Sequence, residues 1–222
     1  MFQFVRLCQI LIWQASRHLA RLSHWDQAAA VFARADWTRP LGDDAFEYTC
    51  LFLIRNDIEG YRKFCEGLIG RAGHTKDAFE AFVLARIAGM SPPGTLDPAR
   101  AVQWGKQAVD SNPQVSWYIH SLGLAHYRAG QFDLALQRFQ ESQNGNWNYG
   151  ELNHFGRALA ENRLGHAANA QESLAQGLAW LQKLTPKDPD KPTQLFATDW
   201  LEAQLLRREA ERLIKPAKAG SP

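Results

Sequence analysis

Apolar residues recur along this chain at helical spacing. Leu122, Ala125 and Ala129 step along one face, and so do Ala135, Phe139 and Ser142. Period-two alternation is rare, and Asn144-Gly145, a dipeptide suited to a hairpin turn, has no β-branched run on either side. Acidic residues mark several helix starts. Asp97 precedes Pro98, a cap followed by proline in the first turn. Asp44 with Glu47, and Asp199 with Glu202, have the spacing of a capping box. Breaks fall at Ser91-Pro92-Pro93-Gly94, Asn112-Pro113, Gly145 and the stretch from Thr185 to Thr193 with its three prolines. The pattern predicts an all-α chain of roughly ten or eleven helices, each about 12–18 residues long.

A repeat organises these helices. Trp25-Asp26-Gln27-Ala28 is followed by Phe32 and Ala35, and Phe132-Asp133-Leu134-Ala135 by Phe139 and Ser142, at the same offsets. The frame also fits helices anchored at Tyr61, Ala101 and Ala170. The anchors Ala28, Tyr61, Ala101, Ala135 and Ala170 are 33, 40, 34 and 35 residues apart, the long interval holding an inserted loop from Ser91 to Asp97.

A period near 34 with two helices per unit resembles the tetratricopeptide repeat (TPR), over roughly residues 9–184. The best unit, 116–149, has Leu122-Gly123, Ala125, a turn glycine at Gly130, then Ala135, Phe139 and Ser142. Gly123 and Ala135 are small enough to let the two helices of a unit approach closely. The resemblance implies a right-handed α-solenoid of about five helix pairs in residues 1–184. A proline-rich linker at 185–198, a C-terminal capping helix at 199–214 and a disordered tail at 215–222 follow. In the capping helix Glu202, Arg207, Arg208, Glu211 and Arg212 are expected to face water while Leu201, Leu205 and Leu213 pack inward.

A narrower likeness lies in phrases such as Asp57-Ile58-Glu59-Gly60-Tyr61-Arg62 and Leu205-Leu206-Arg207-Arg208-Glu209-Ala210-Glu211. They look like TPR segments found C-terminal to serine/threonine kinase or WD-repeat domains in large bacterial proteins. The sequence has no Gly-rich phosphate loop, no His-Arg-Asp and no Asp-Phe-Gly, so it carries at most the accessory part of such a system.

The family lines its concave face with the second, fifth, ninth and twelfth positions of each first helix. Carried onto this sequence, those positions give a groove of Trp13, Arg17, Phe46, Phe79, Phe82, Arg86, Trp117, His120, Leu124, Tyr127 and Phe155, with Arg128 beside Tyr127. Cys50, Leu152, Leu159 and Asn162 fall in the same frame. The implied function is a non-catalytic protein–protein interaction scaffold that takes a peptide or helix in an aromatic groove, its arginines meeting acidic groups. The alternative is an accessory module of a serine/threonine kinase system, and an enzyme with a cryptic groove site stands a distant third.

Composition narrows the chemistry. A hydrophobic share of 45% with 22% charged residues excludes wholesale disorder. A formal net charge of +2 gives no electrostatic case for nucleic acid. Cys8, Cys50 and Cys65 are odd in number and unclustered, which implies neither a disulfide framework nor a zinc ribbon. Cys50 and Cys65 read as small core residues. His120 and His126 lie six apart, on different helix faces, and no metal-ligand cluster, nucleophile elbow or dinucleotide fingerprint occurs. No cofactor, no metal and no enzyme activity are expected.

The apolar start, Phe2 to Trp13, lacks a basic n-region and an A-x-A site, and its uncharged run from Leu7 to Ser16 is too short to cross a bilayer. A cytoplasmic location is the expectation. The apolar surface of this first helix is broader than one stripe, so a preceding domain, a second copy or a membrane surface should cover it. Lack of basic charge puts the membrane last. Homo-oligomerisation through this helix is the favoured expectation.

Overall fold

The structure is a computed structural model that describes residues 2–37, 40–188 and 190–214, with side chains described from Cys8 onward. Among the described residues there are eleven α-helices and no strand. The first ten form five antiparallel pairs. These are α1 (Phe2–Arg21) with α2 (Trp25–Phe32), α3 (Asp43–Ile54) with α4 (Ile58–Ala72), and α5 (Ala78–Gly89) with α6 (Pro98–Ser111). Next come α7 (Ser116–Arg128) with α8 (Phe132–Gln143), and α9 (Asn153–Arg163) with α10 (Ala167–Leu184). The eleventh helix, α11, runs Ala197–Leu213, and a single 3₁₀ turn, Gly150–Leu152, precedes α9.

Four of the five pairs close with the same turn. Ser23, Asn56, Gly130 and Gly165 each adopt positive φ, between 59° and 81°. The following amide donates to the carbonyl five residues back: His24 to Leu19, Asp57 to Phe52, Gln131 to His126 and His166 to Glu161. This is the Schellman closure, in which a left-handed residue lets the chain reverse while the last carbonyls stay bonded. The α5–α6 pair replaces it with the loop inserted before Pro98, and there the Asp97 carboxylate caps α6, accepting from the Ala99 amide at 2.9 Å.

The repeat frame is the packing frame. All five anchors, Ala28, Tyr61, Ala101, Ala135 and Ala170, are fully buried. Phe139 is the clearest inter-repeat filler. A Cβ on Gly123 of α7 would come 2.8 Å from its ring, and one on Gly156 of α9 would come 2.6 Å from it. The two glycines therefore make room for one ring between successive pairs. Phe155 sits similarly against Gly177, and Leu124 against Gly89.

Two expectations about carboxylates fail. Neither Asp44–Glu47 nor Asp199–Glu202 is a capping box: Gly42 caps α3 and Phe196 precedes α11, both without a side-chain cap bond. Glu47, Asp199 and Glu202 turn instead toward arginines on other helices. The role of α11 differs accordingly. It does not cover the end of the array with a wet face. It packs against α1, α3, α9 and α10, along the concave side formed by the first helices of the pairs. Glu202 is 0% exposed, and Arg207 is half-buried, while Arg208, Glu211 and Arg212 are exposed. The connector before α11 is held to the first pair: the Thr193 amide donates to the Arg21 carbonyl, and Arg21 donates back to the Thr193 carbonyl. The tail at 215–222 lies outside the described residues.

Candidate functional site

The concave face is built from one side of each first helix. On α5, Phe79, Phe82 and Arg86 follow the i, i+3, i+7 rule and share a face. Trp117, His120 and Arg128 come from α7, Arg17 from α1 and Phe46 from α3. The structure brings Phe79, Phe82, Arg86 and Trp117 to one cleft with Phe46 against Arg86, while Arg128 borders another cleft and Arg17 lies against Glu47.

Each groove cation has an acidic partner inside the chain. Arg86 donates through Nε to Glu202 Oε2 at 2.9 Å and through a terminal nitrogen to Asp199 Oδ1 at 3.0 Å, with a further short contact to Glu202. Its guanidinium lies 4.2 Å from the Phe46 ring centroid. Burial opposes the charge, but Glu202 and Asp199 outweigh it and hold the Arg86 pKa above its ordinary value. Burial likewise works against ionised Glu202, yet Arg86 and His120 pull its carboxyl down to about 2. Asp199 shares only one Arg86 nitrogen, and its carboxyl is pushed up by burial, with nearby Glu202 adding to the rise.

His120 presents both ring nitrogens to oxygen atoms, Nδ1 to Asn153 at 2.7 Å and Nε2 to Glu202 at 3.1 Å. Arg128 makes a two-pronged pair with Glu209, both bonds 2.6 Å, and also donates to the Gly89 carbonyl. Arg17 donates to Glu47 at 2.8 and 2.9 Å. Burial pushes the Glu47 carboxyl up to about 7 in spite of Arg17. The arginines expected to meet acidic groups of a partner are thus engaged by Glu202, Asp199, Glu209 and Glu47.

Other residues of the expected groove serve the core. Leu124 and Phe155 are fully buried against Gly89 and Gly177, Phe46 is fully buried under Arg86, and Trp13 is half-buried. Cys50 and Cys65 are buried thiols, as expected of core residues, and burial pushes the Cys65 thiol up to about 12.

One part that stays open lies on the concave face beyond the start of α11. A cleft of about 500 Å³ lies there, lined by Phe79, Phe82, Arg86 and Trp117, by Asp43 at the start of α3, by residues 146–149, and by Phe196, Thr198 and Asp199. Trp117 is 40% exposed, Phe79 39% and Phe196 68%, high values for rings of this size. Asn146, Trp147, Asn148, Tyr149, Asp43 and Phe196 are not among the residues expected from sequence. An aromatic-rich loop, Asn146-Trp147-Asn148-Tyr149, between two helices was the available signal. A second cleft, about 540 Å³, lies at the other end of α11 between the 91–98 loop, Tyr127, Arg128, Phe132 and Arg163.

No family model and no curated protein matches the chain. The solved structure of TTC0263, a thermophilic TPR protein of Thermus thermophilus, superposes with a TM-score of 0.55 at 18% identity, over 92% of this chain and 100% of that one. The fold is TPR-like. A structure titled MamA MSR-1 superposes with a TM-score of 0.44 at 15% identity, over 79% of this chain and 97% of the other. Within the TPR-like frame, α11 packs along the face formed by the first helices of the pairs. Of the kinase-associated phrases, Leu205–Glu211 falls in α11, outside the helix pairs. Among the described residues no group of His, Cys, Asp and Glu could hold a metal ion, and no helix is long and apolar enough to cross a membrane.

Proposed function

We propose that the protein is a non-catalytic protein–protein interaction module that takes an extended segment of its partner in the aromatic cleft at the open end of its concave face. The observation that carries this is the exposure of Phe79, Trp117 and Phe196 around one cleft, beside the part of the same face that α11 covers. Rings half in water, with rotamer-poor side chains on rigid helices, gain the most from being covered by a partner. The packing of α11 illustrates the kind of contact this face makes, since a helix lies against it through apolar burial and buried ion pairs.

Affinity capture from the native lysate with wild-type protein, beside Phe79→Ala and Trp117→Ala, tests the reading. Each variant should lose about 2 kcal/mol or more of partner binding, roughly 30-fold. Retention of the same partner by both variants would move the site elsewhere. The kinase-linked alternative rests on the sequence phrases alone.

Self-association through α1 belongs to the same proposal. Ile10 and Leu11 are exposed on it. Sedimentation of wild type and Leu11→Glu at tens of micromolar should show a larger species that the variant dissolves. A monomer in both cases would end that part of the reading.

A further inference from the structure

The open cleft has a charge as well as an aromatic wall, and the sign is not the one the groove arginines suggest. Arg86 forms part of its lining, but the residue is 5% exposed, lies over the Phe46 ring, and is held by Glu202 and Asp199 together. Its charge is met from within the chain. Asp43, at the first turn of α3, borders the same cleft half-buried and makes no hydrogen bond or ion pair with a side chain among the described residues. Asp43, Asp199 and Glu202 all act on the Arg86 guanidinium, and Asp43 acts also on Arg17, which Glu47 pairs. Four helices, α3, α5, α7 and α11, begin beside the cleft and add positive ends worth about half a charge each. Arg86 is spent on Glu202 and Asp199, so the Asp43 carboxylate is the lining charge left to meet a ligand. Among the described residues no lysine lines the cleft.

We infer that the partner residue taken by this cleft is a cation, a lysine or arginine side chain on an extended peptide segment. Its head group would sit between Asp43 and Asp199 with the faces of Trp117 and Phe196 alongside. Aromatic faces attract a cation through their quadrupole, and the attraction grows when water is excluded. The methylene stem of lysine or arginine would cover the exposed rings of Phe79 and Trp117, which an acidic side chain is too short and wrongly charged to do. The assignment rests on the interaction reading above and specifies its chemistry. It replaces the acidic partner that the arginines predict from sequence, because those arginines are already paired.

Selection of a random dodecapeptide display library on the full-length protein, with counter-selection on Trp117→Ala, tests it. Enriched peptides should share a lysine or arginine. Their synthetic forms should bind at least about 10-fold more weakly to Asp43→Asn and to Phe196→Ala. Binding should also weaken as salt is raised from about 50 to about 300 mM, which shortens the screening length roughly twofold. Circular dichroism of each variant confirms that it is folded. Cleft-dependent peptides with an acidic or wholly apolar consensus would overturn the cation assignment and leave the interaction reading standing. Failure to enrich any peptide sensitive to Trp117→Ala would overturn both.

Discussion

Removing the Arg86 guanidinium strands Glu202 and Asp199 inside the concave face, where, among the described residues, His120 alone remains as a basic partner, and only of Glu202. Breaking a buried pair from one side costs about 3–5 kcal/mol, because the abandoned charge stays desolvated. Arg86→Ala should therefore lower stability in urea by roughly that amount, where a residue serving only a partner would lower binding alone. Acid should reveal the same network. Glu202 is depressed from an ordinary 4.5 to about 2, so its stabilisation is complete above 4.5 and disappears as pH falls toward 2. Glu47 has the opposite sign. Its carboxyl is raised from 4.5 to about 7 by burial, so its contribution is complete below 4.5 and declines as pH rises to 7. Glu47→Gln should flatten the stability profile between those values while leaving the acid limb intact; an unchanged slope there would contradict the assignment. Neither role was legible in sequence. Asp199-x-x-Glu202 and Asp44-x-x-Glu47 are identical in form to capping boxes, and the guanidinium that claims the first pair is more than a hundred residues away.

At the scale of elements, the repeat was legible because its signals are local. A small or flat residue every 33–40 positions marks the place where two helices approach, and every such anchor is buried. The turns carry the same period in another form, through Ser23, Asn56, Gly130 and Gly165. Ser23→Gly should stabilise by about 0.5–1 kcal/mol, because glycine enters the left-handed region without a Cβ penalty. Glycines inside helices sort by what surrounds them. Gly67 and Gly70 are exposed in α4 with nothing within 4 Å of an added Cβ, so alanine at either should gain up to about 1 kcal/mol. Gly123→Ala should instead cost about 1–3 kcal/mol, since its Cβ meets the Phe139 ring. Gly145, which the sequence places at a break between helices, is also confined, because a Cβ there meets Ser116. Thermal denaturation of these variants ranks the sites, and a gain at Gly123 would contradict the packing frame.

For the whole molecule, α11 changes what kind of object the solenoid is. Repeat arrays are nearly one-dimensional, each unit leaning only on its neighbours. Here one helix touches α1, α3, α9 and α10, and the connector before it is bonded to Arg21, so the first and last pairs are joined through the concave face. Sequence patterning gives little warning of this position, because the acids of α11 look like a solvated face. The surviving hint is that small or apolar residues occur on more than one side of it, at Ala197, Leu201, Ala203, Leu206 and Ala210, the mark of a helix enclosed by others. Helix α11 thus covers the middle of this face and leaves a cleft open at each of its ends, the aromatic one beside its start. Native-state hydrogen exchange across residues 197–213 tests that most directly. Amides around Leu201 to Leu206 should exchange only through global unfolding in the wild type, and should open sooner in Arg86→Ala. Exchange of that segment within seconds, while α5 and α7 stay protected, would contradict it.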